Sequence, residues 1–471
     1  MIPFKVRPMN LLDDKIPAYK TILLLSWPTI LEQVLQTMVS FVDTAMVGSL
    51  GPAATAAISV NTSTIWLVSG MMNAFSIGFS VLIAKNIGAG NLSEARGMAK
   101  QCIIWSSVFG LLLVLLMGYV GRFLAIWLHA SPSVVEGARL YMKWIAYSYL
   151  ANFLLISCGG ILRSSGDTKT PLIINLLNNI INIIMNFILI FPARKVTFLS
   201  FEFTMFGAGR GVEGAAMATG LAALISAALL SVSCFLKEFP ARIDLHSSWK
   251  PALTSLRTSL KIGTPVFLER VTLSSGQIAL TAIISTLGTA ALAAHYVANT
   301  AESITYLPTL GFATAATTLV AQSLGAGNRE LAKRFAWITT AFGVLTMTAT
   351  GMLMYFIAMP LTSLFTADPE VMDIGARCLR IEAFAEPFFG LSMLVFGVLR
   401  GSGDTKGPFI ISIAGMWMVR IPLAFILVNC TGMGLAGAWT AMMLDLVVRG
   451  IICFFRLRSG KWLSGFESSE T

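Results

Sequence analysis

The sequence predicts an all-α polytopic membrane protein with twelve transmembrane helices, arranged as two six-helix lobes that are related by a parallel internal repeat and face a central cleft. Three observations carry this expectation. The 471 residues are 56% hydrophobic and only 12% charged, with a mean hydropathy of +0.77, far from the composition of soluble globular domains. Apolar runs of about twenty residues, enough to cross roughly 30 Å of hydrocarbon as helix, follow one another from Thr21 to Phe455. Several short motifs also recur at one constant offset.

The elements follow in order. Residues 1–20 are polar and mixed in charge and read as a cytoplasmic segment; they have no signal-peptide pattern, so the first apolar run is itself the insertion signal. The first lobe, 21–236, holds spans near 21–47, 54–82, 102–123, 141–162, 171–191 and 212–236. A cytoplasmic linker, 237–261, leads to the second lobe, 262–456, with spans near 262–287, 290–320, 335–358, 378–399, 408–428 and 433–456, and 457–471 is a tail. A β-barrel would show short alternating segments instead.

The repeat is explicit. "WPTILE" from Trp27 answers to "TPVFLE" from Thr264, "IGAGN" from Ile87 to "LGAGN" from Leu324, and "LRSSGDTKTP" from Leu162 to "LRGSGDTKGP" from Leu399, all 237 residues apart. Further on, "GVEGAA" from Gly211 and "GLAGAW" from Gly434 differ by 223, which places 14 extra residues in the first half near Arg194 to Arg210. Six crossings per copy is an even number, so both copies run with the same polarity. The decapeptides read as cytoplasmic turns, in which Gly and Ser permit a tight reversal, Arg163 or Arg400 complements a helix C-terminus and Asp167 or Asp404 caps the next helix. The "GAGN" turns lack the length and the Lys-Ser/Thr ending of a phosphate loop.

With both termini placed inside, 22 of the 33 Lys and Arg fall on cytoplasmic segments, as the positive-inside rule requires. The net charge of +10 is then mainly an insertion signal, because it is spread over separate segments without a nucleic-acid motif. The six cysteines lie scattered in apolar stretches without metal spacing and read as packing residues.

Function is sought among ionisable groups at membrane depth, where a charge costs at least about 2.5–3.5 kcal/mol and is rarely kept without a role. Asp43 stands out: its repeat-mate at 280 is Leu280, so one lobe alone carries it, and Pro28 fifteen residues earlier can kink the same helix as a hinge. Asn175, Asn179, Asn182 and Asn186 follow at spacings of 4, 3 and 4 on one helix face, and in lipid such a stripe must face protein or water. Glu32 and Glu269 each stand four residues after a proline, which favours a shared structural task such as bonding to backbone freed by it. Glu269, Arg270, His295, Glu302 and Glu386 are candidates for a cavity in the second lobe, with Glu382, Arg420 and Asp445 as further intramembrane charges. His295 reads first as a packed, hydrogen-bonded side chain and second as a proton shuttle.

Taken together, "FVDTAMVGSLGPAATAA", the two "GAGN" turns, the paired decapeptides, "NNIINIIMNFILIF" and "GVEGAAMATG" resemble the multidrug and toxic compound extrusion (MATE) family, over essentially 20–456. The resemblance implies two six-helix lobes and export of organic cations or other amphipathic compounds in exchange for H⁺ or Na⁺. It places the coupling site on Asp43, Asn182, Asn186 and Thr219, with Pro28 as the associated kink. Many relatives have Asp where this chain has Asn186. The branch that couples through acids in the seventh and tenth helices needs them near Leu273 and Phe389, whereas Glu269 and Glu386 sit about one turn earlier; the chain is therefore more similar to the branch with its carboxylate on the first helix. Organic-anion export, of the citrate type, and a lipid-linked sugar flippase of the wider superfamily are the alternatives. A membrane-embedded enzyme would call for clustered His and acid residues, and the chain has three His in all. The expected partners are a small-molecule substrate and membrane lipid, without nucleic acid, cofactor, structural metal or obligate protein partner, in a monomer of the plasma (inner) membrane.

Overall fold

A computed structural model describes residues 11–12, 15–198, 201–244, 248–464 and 466. The expectations for 1–10 and for the end of the tail therefore lie outside the described residues. The chain forms two compact units. The first holds Val34–Ile83 and the described residues of Asn91–Ser259; the second holds the described residues of Asn10–Gln33, Ala84–Gly90 and Leu260–Thr471. The first helix is thus shared between units, changing over just after Gln33.

The first half runs α1 (Ala18–Gly48), α2 (Pro52–Gly88), α3 (Leu92–Trp127), α4 (Pro132–Ser164), α5 (Lys169–Leu189), β1 (Pro192–Phe198), β2 (Phe201–Ala208) and α6 (Gly211–Leu236). Each of the six helices is long and apolar enough to cross a membrane. The extra residues of the first half form the antiparallel hairpin β1–β2, whose register runs from Pro192↔Ala208 to Phe198↔Phe201, so the otherwise all-α chain carries one small sheet. Small residues let the helices close up: α6 packs on α4, with Ala223 and Ala227 of α6 clustered with Ala151 of α4. The Ser106 and Ser157 hydroxyls meet at 2.7 Å between α3 and α4, a polar contact of the kind that holds helices together where lipid provides no hydrophobic drive.

The second half runs α7 (Leu253–Ser285), α8 (Thr289–Glu302), α9 (Leu307–Gly325), α10 (Arg329–Phe356), α11 (Ala358–Ser363), α12 (Pro369–Glu382), α13 (Glu386–Gly401), α14 (Lys406–Ile413), a π-helical segment (Ala414–Arg420), α15 (Ile421–Asn429) and α16 (Gly434–Ser459). Three spans expected to be single helices are interrupted. The span near 290–320 is α8 and α9, bent by 52°, and the one near 378–399 is α12 and α13, bent by 59°; the one near 408–428 unwinds to π-helix in its middle. A proline follows each interruption, Pro308, Pro387 and Pro422, and a proline lacks the N–H for the turn before it and disfavours helix in the preceding residue. By contrast, Pro28 and Pro265 lie inside α1 and α7, which continue through them. A break at Pro28 is therefore not seen. Among the described residues nine helices are long and apolar enough to cross a membrane, eleven spans if each bent pair is counted as one; the twelfth expected span falls on α7, 33 residues long, whose apolar run is interrupted by Lys261, Glu269, Arg270 and Gln277.

The repeated decapeptide does the same job twice. Gly166 and Gly403 take φ of 85° and 84°, the left-handed turn that glycine adopts without strain. Asp167 Oδ1 then accepts from the Thr170 N–H at 3.1 Å and Asp404 Oδ1 from the Gly407 N–H at 3.0 Å, which satisfies first-turn donors of α5 and α14. The other carboxylate oxygen takes a cation from the end of the lobe's last helix: Lys237 Nζ at 2.5 Å on Asp167 and Arg456 Nη2 at 2.6 Å on Asp404.

Candidate functional site

Within the first unit, α1, α5 and α6 bring Asp43, Asn186, Asn182 and Thr219 into one hydrogen-bonded chain. Asn186 Nδ2 donates to Asp43 Oδ1 at 2.6 Å and to Asn182 Oδ1 at 3.1 Å. Asn182 Nδ2 donates to Thr219 Oγ1 at 3.3 Å, and the Thr219 hydroxyl donates to the Ala215 carbonyl at 3.1 Å. The i, i+4 spacing of Asn182 and Asn186 stacks them on one face of α5, where both are buried. Asp43 is half-buried, and Asn179, on the same stripe, is half-buried and outside this chain of bonds.

The Asn186 amide is aimed at Asp43, whereas Asn182 and Thr219 donate away from it, and one acceptor is left over. Asn186 Oδ1 is buried without a partner, close to a carboxylate. Buried polar atoms are nearly always satisfied, and oxygen ligands of this kind suit a hard cation. The constellation therefore has the chemistry either to exchange a proton on Asp43 or to hold a small monovalent cation among amide, hydroxyl and carboxylate oxygens.

The second unit disposes of its candidates differently. Glu269 is buried, and both its oxygens lie within reach of one nitrogen of Arg400, at 2.8 and 2.9 Å. The partner of Glu269 is thus a guanidinium from the repeated decapeptide rather than backbone freed by Pro265. Neither Glu269 nor the exposed Arg270 lines the cavity found in this unit. That cavity, of about 330 Å³, is lined by Gln277, Thr281, Leu292, His295, Tyr296 and Asn299. His295 is packed edge-on against Trp439 at 5.8 Å, and Asn299 Nδ2 lies 3.0 Å from its Nε2.

Glu302 and Glu386 lie buried at the two helix breaks, not in the cavity wall. Glu302 ends α8 and Glu386 starts α13, and the Thr305 hydroxyl between them donates to Glu386 Oε1 at 2.8 Å and to the Glu302 backbone carbonyl at 2.8 Å. Arg420 Nε reaches Asp445 Oδ2 at 2.8 Å and Arg449 Nε reaches Asp445 Oδ1 at 2.6 Å. Sequence reasoning names Asp445 and Arg420 without pairing them and gives Arg449, Thr305 and Asn299 no role. The i, i+4 spacing of Asp445 and Arg449 is the available signal. Five of the six cysteines are buried and all are free, and no group of three or more His, Cys, Asp or Glu among the described residues could hold a metal ion.

Comparison with known proteins adds to this geometry. A family model, MatE, matches residues 28–188 and, a second time, 265–426. A probable multidrug resistance protein NorM of Thermotoga maritima is 30% identical over 452 residues, covering 94% of this chain and 93% of that protein. The uncharacterized transporter YisQ of Bacillus subtilis is 25% identical over 451 residues, with 95% and 96% covered. Among solved structures, a MOP superfamily transporter from Pyrococcus furiosus, described by a reversed polarity of its binding pocket that suggests a different function, has the same fold with a TM-score of 0.86 at 22% identity, over 95% of this chain and 97% of that one.

Proposed function

The chain belongs to the MatE family of integral membrane transporters, and from that premise we propose that it is a secondary active antiporter. It exports organic cations or amphipathic compounds in exchange for H⁺ or Na⁺ by alternating access. Two of its relatives, the proteins named NorM and YisQ, are called a probable multidrug resistance protein and a transporter, which supports export of small molecules. The observation that carries the coupling reading is the chain Asp43–Asn186–Asn182–Thr219, which ties three helices to one carboxylate. Loading Asp43 with a proton, or filling the site with Na⁺, removes or screens the charge on which the Asn186 amide is aimed and so rearranges α5 against α1. Pro28 serves as the point at which α1 yields, since the turn before it lacks one backbone bond. The driving energy is that of the ion gradient, roughly 2.3 kcal/mol per charge per 100 mV.

The same reading places the protein in the plasma (inner) membrane with both termini cytoplasmic, as a monomer without cofactor. Organic-anion export keeps the same mechanism with a different substrate. A lipid-linked sugar flippase needs a cationic cavity, and the commitment of Arg420 and Arg449 to Asp445 speaks against it. The test is efflux of a fluorescent organic cation from proteoliposomes under an imposed H⁺ or Na⁺ gradient, comparing the wild type with Asp43→Asn. Gradient-driven efflux abolished by the substitution is the expected result; uphill efflux that survives it in folded protein removes Asp43 from the coupling.

A further inference from the structure

We propose that Phe466, anchored through Trp462, makes the C-terminal segment a clasp that holds the last turn of α2, from the first half of the chain, on the second half, and that this clasp must release before the protein opens on that side. The end of α16 sets the parts. It stops at Gly460, whose φ of 64° is left-handed and turns the chain back, as glycine does beyond a helix C-terminus. A short 3₁₀ turn follows, Lys461–Ser464, and carries Trp462, which is 1% exposed. Its indole N–H donates to the Leu457 carbonyl at 3.0 Å, taking one of the end acceptors of α16. Its ring joins a buried cluster with Val320 of α9, Ala336 of α10 and Leu399 of α13. A segment that ended its work at Trp462 would be a helix stop and nothing more, but Phe466 reaches further.

The Phe466 ring has a neighbour from each half. A Cβ built at Gly403 would stand 3.0 Å from two of its carbons, so the ring lies on the left-handed glycine of the second decapeptide turn. Lys85 Nζ stands 4.5 Å from the ring centroid, within the reach of a cation–π contact, and Lys85 is in the last turn of α2. That helix changes unit between Ile83 and Ala84, so the clasp grips the part of α2 that packs with the second half. The grip falls at a crossing that the repeat makes symmetric. A Cβ at Gly88 would collide with the Gln322 carbonyl of α9, and one at Gly325 with the Lys85 carbonyl; Gly88 and Gly325 are 237 residues apart, and so are Lys85 and Gln322. Glycine on both sides brings two backbones together with no side chain between them. Such a crossing is close but buries little apolar area, and a ring with a cation on its face adds to what must be undone before the helices part.

The two aromatic residues divide the work. Trp462 lies among helices of the second half alone, so it stays in place when α2 leaves α9, whereas Phe466 loses Lys85. A contact made in one state and lost in the other is what biases an equilibrium. Removing it is expected to raise the parted population by about 5–30-fold, from the usual strength of a partly buried cation–π contact. The use of this clasp in transport rests on the antiporter reading; the clasp itself does not.

The test is the rate at which a soluble maleimide labels Gln322→Cys in the full-length protein in lipid nanodiscs, in a Cys430→Ser background that removes the exposed thiol. Gln322 is 3% exposed, and a Cβ at Gly88 would meet its Cα at 2.8 Å, so the position is uncovered when α2 leaves; with fast reclosing the rate follows the open fraction. Phe466→Ala and Lys85→Met are each expected to raise it about 5–30-fold, and the two together no further, because they report one contact. Phe466→Tyr, which keeps the ring, is expected to label at the wild-type rate, and so is Asp167→Ala, which weakens the first unit instead. A rate that Phe466→Ala leaves unchanged overturns the clasp. A rise that Lys85→Met does not share, or that Asp167→Ala matches, overturns it too, since Phe466 is then ordinary packing. Labelling needs neither substrate nor gradient: the expected rates without gradient-driven efflux remove the antiporter reading and keep the clasp, and unchanged rates with efflux intact remove the clasp alone.

Discussion

Glu269 separates a structural carboxylate from a coupling one, and Glu269→Gln decides which it is. Its side chain is 5% exposed and that of Arg400 is 24% exposed, with 2.8 Å between them. Fully exposed ion pairs contribute about 0.2–1 kcal/mol, and breaking a fully buried pair costs about 3–5 kcal/mol. The partial exposure of Arg400 puts this pair between the two limits, and Gln keeps one acceptor oxygen for the guanidinium, so the expected loss is about 2 kcal/mol. For domains of 150–250 residues that corresponds to about 4–8 °C in melting temperature. Arg400→Gln is expected to cost a similar amount, and the double variant less than the sum, because neither charge is then left alone. The assays are thermal melting of the purified protein and gradient-driven efflux per folded molecule. Efflux within about twofold of wild type, together with the lower melting temperature, fits an ion pair that holds α7 to α13. A Glu269→Gln protein that melts like the wild type but no longer couples efflux to the gradient refutes this reasoning and makes Glu269 a coupling group.

Other expectations follow from the same contacts. Asn186→Leu is nearly isosteric and removes two hydrogen bonds, worth about 2–4.5 kcal/mol together, but it also removes a buried unpartnered oxygen that costs about 1–3 kcal/mol; a net loss of about 1–1.5 kcal/mol, a few degrees in melting temperature, is expected, while coupled efflux is lost. Asp445→Asn leaves two buried guanidiniums short of a counter-ion and should destabilise by about 3–5 kcal/mol, with recovery in a variant in which Asp445, Arg420 and Arg449 are all replaced by apolar residues of similar size. A triple replacement that stays as unstable as Asp445→Asn counts against the assigned pairing. Asp167→Ala removes a first-turn bond of α5 and the Lys237 contact, and about 1–3 kcal/mol is expected in thermal melting, with Asp404→Ala similar because its contacts match.

Much of this is legible in the chain itself. Length and hydropathy give the crossings, and the constant offset gives two like-built halves; the same offset of 237 separates the starts of the two matched segments, 28 and 265. The spacing of Asn182 and Asn186 on α5 follows from helical period alone, and their meeting with Asp43 comes from the resemblance and is present in the geometry. The helix breaks escape a reading of the sequence, although Pro308, Pro387 and Pro422 are in plain view, because long apolar runs dominate a membrane sequence and prolines are tolerated in such helices. Pro28 and Pro265 draw attention instead and lie in continuous helices. The pairing of Arg420 with Asp445 depends on how the π-helical segment faces α16, which hydropathy does not encode. Glu302 and Glu386 read in sequence as candidates for a cavity wall, but burial at the breaks is a property of the bent backbone.

The three prolines have a further consequence when set against the repeat. At the offset of 237 their counterparts in the first half are Met71, Leu150 and Met185, inside α2, α4 and α5, which run unbroken. An ancestral duplication would have produced two equal halves, and one imino acid in each of three places distinguishes the articulated copy from the rigid one. Each half is thus a record of what the other has lost or acquired.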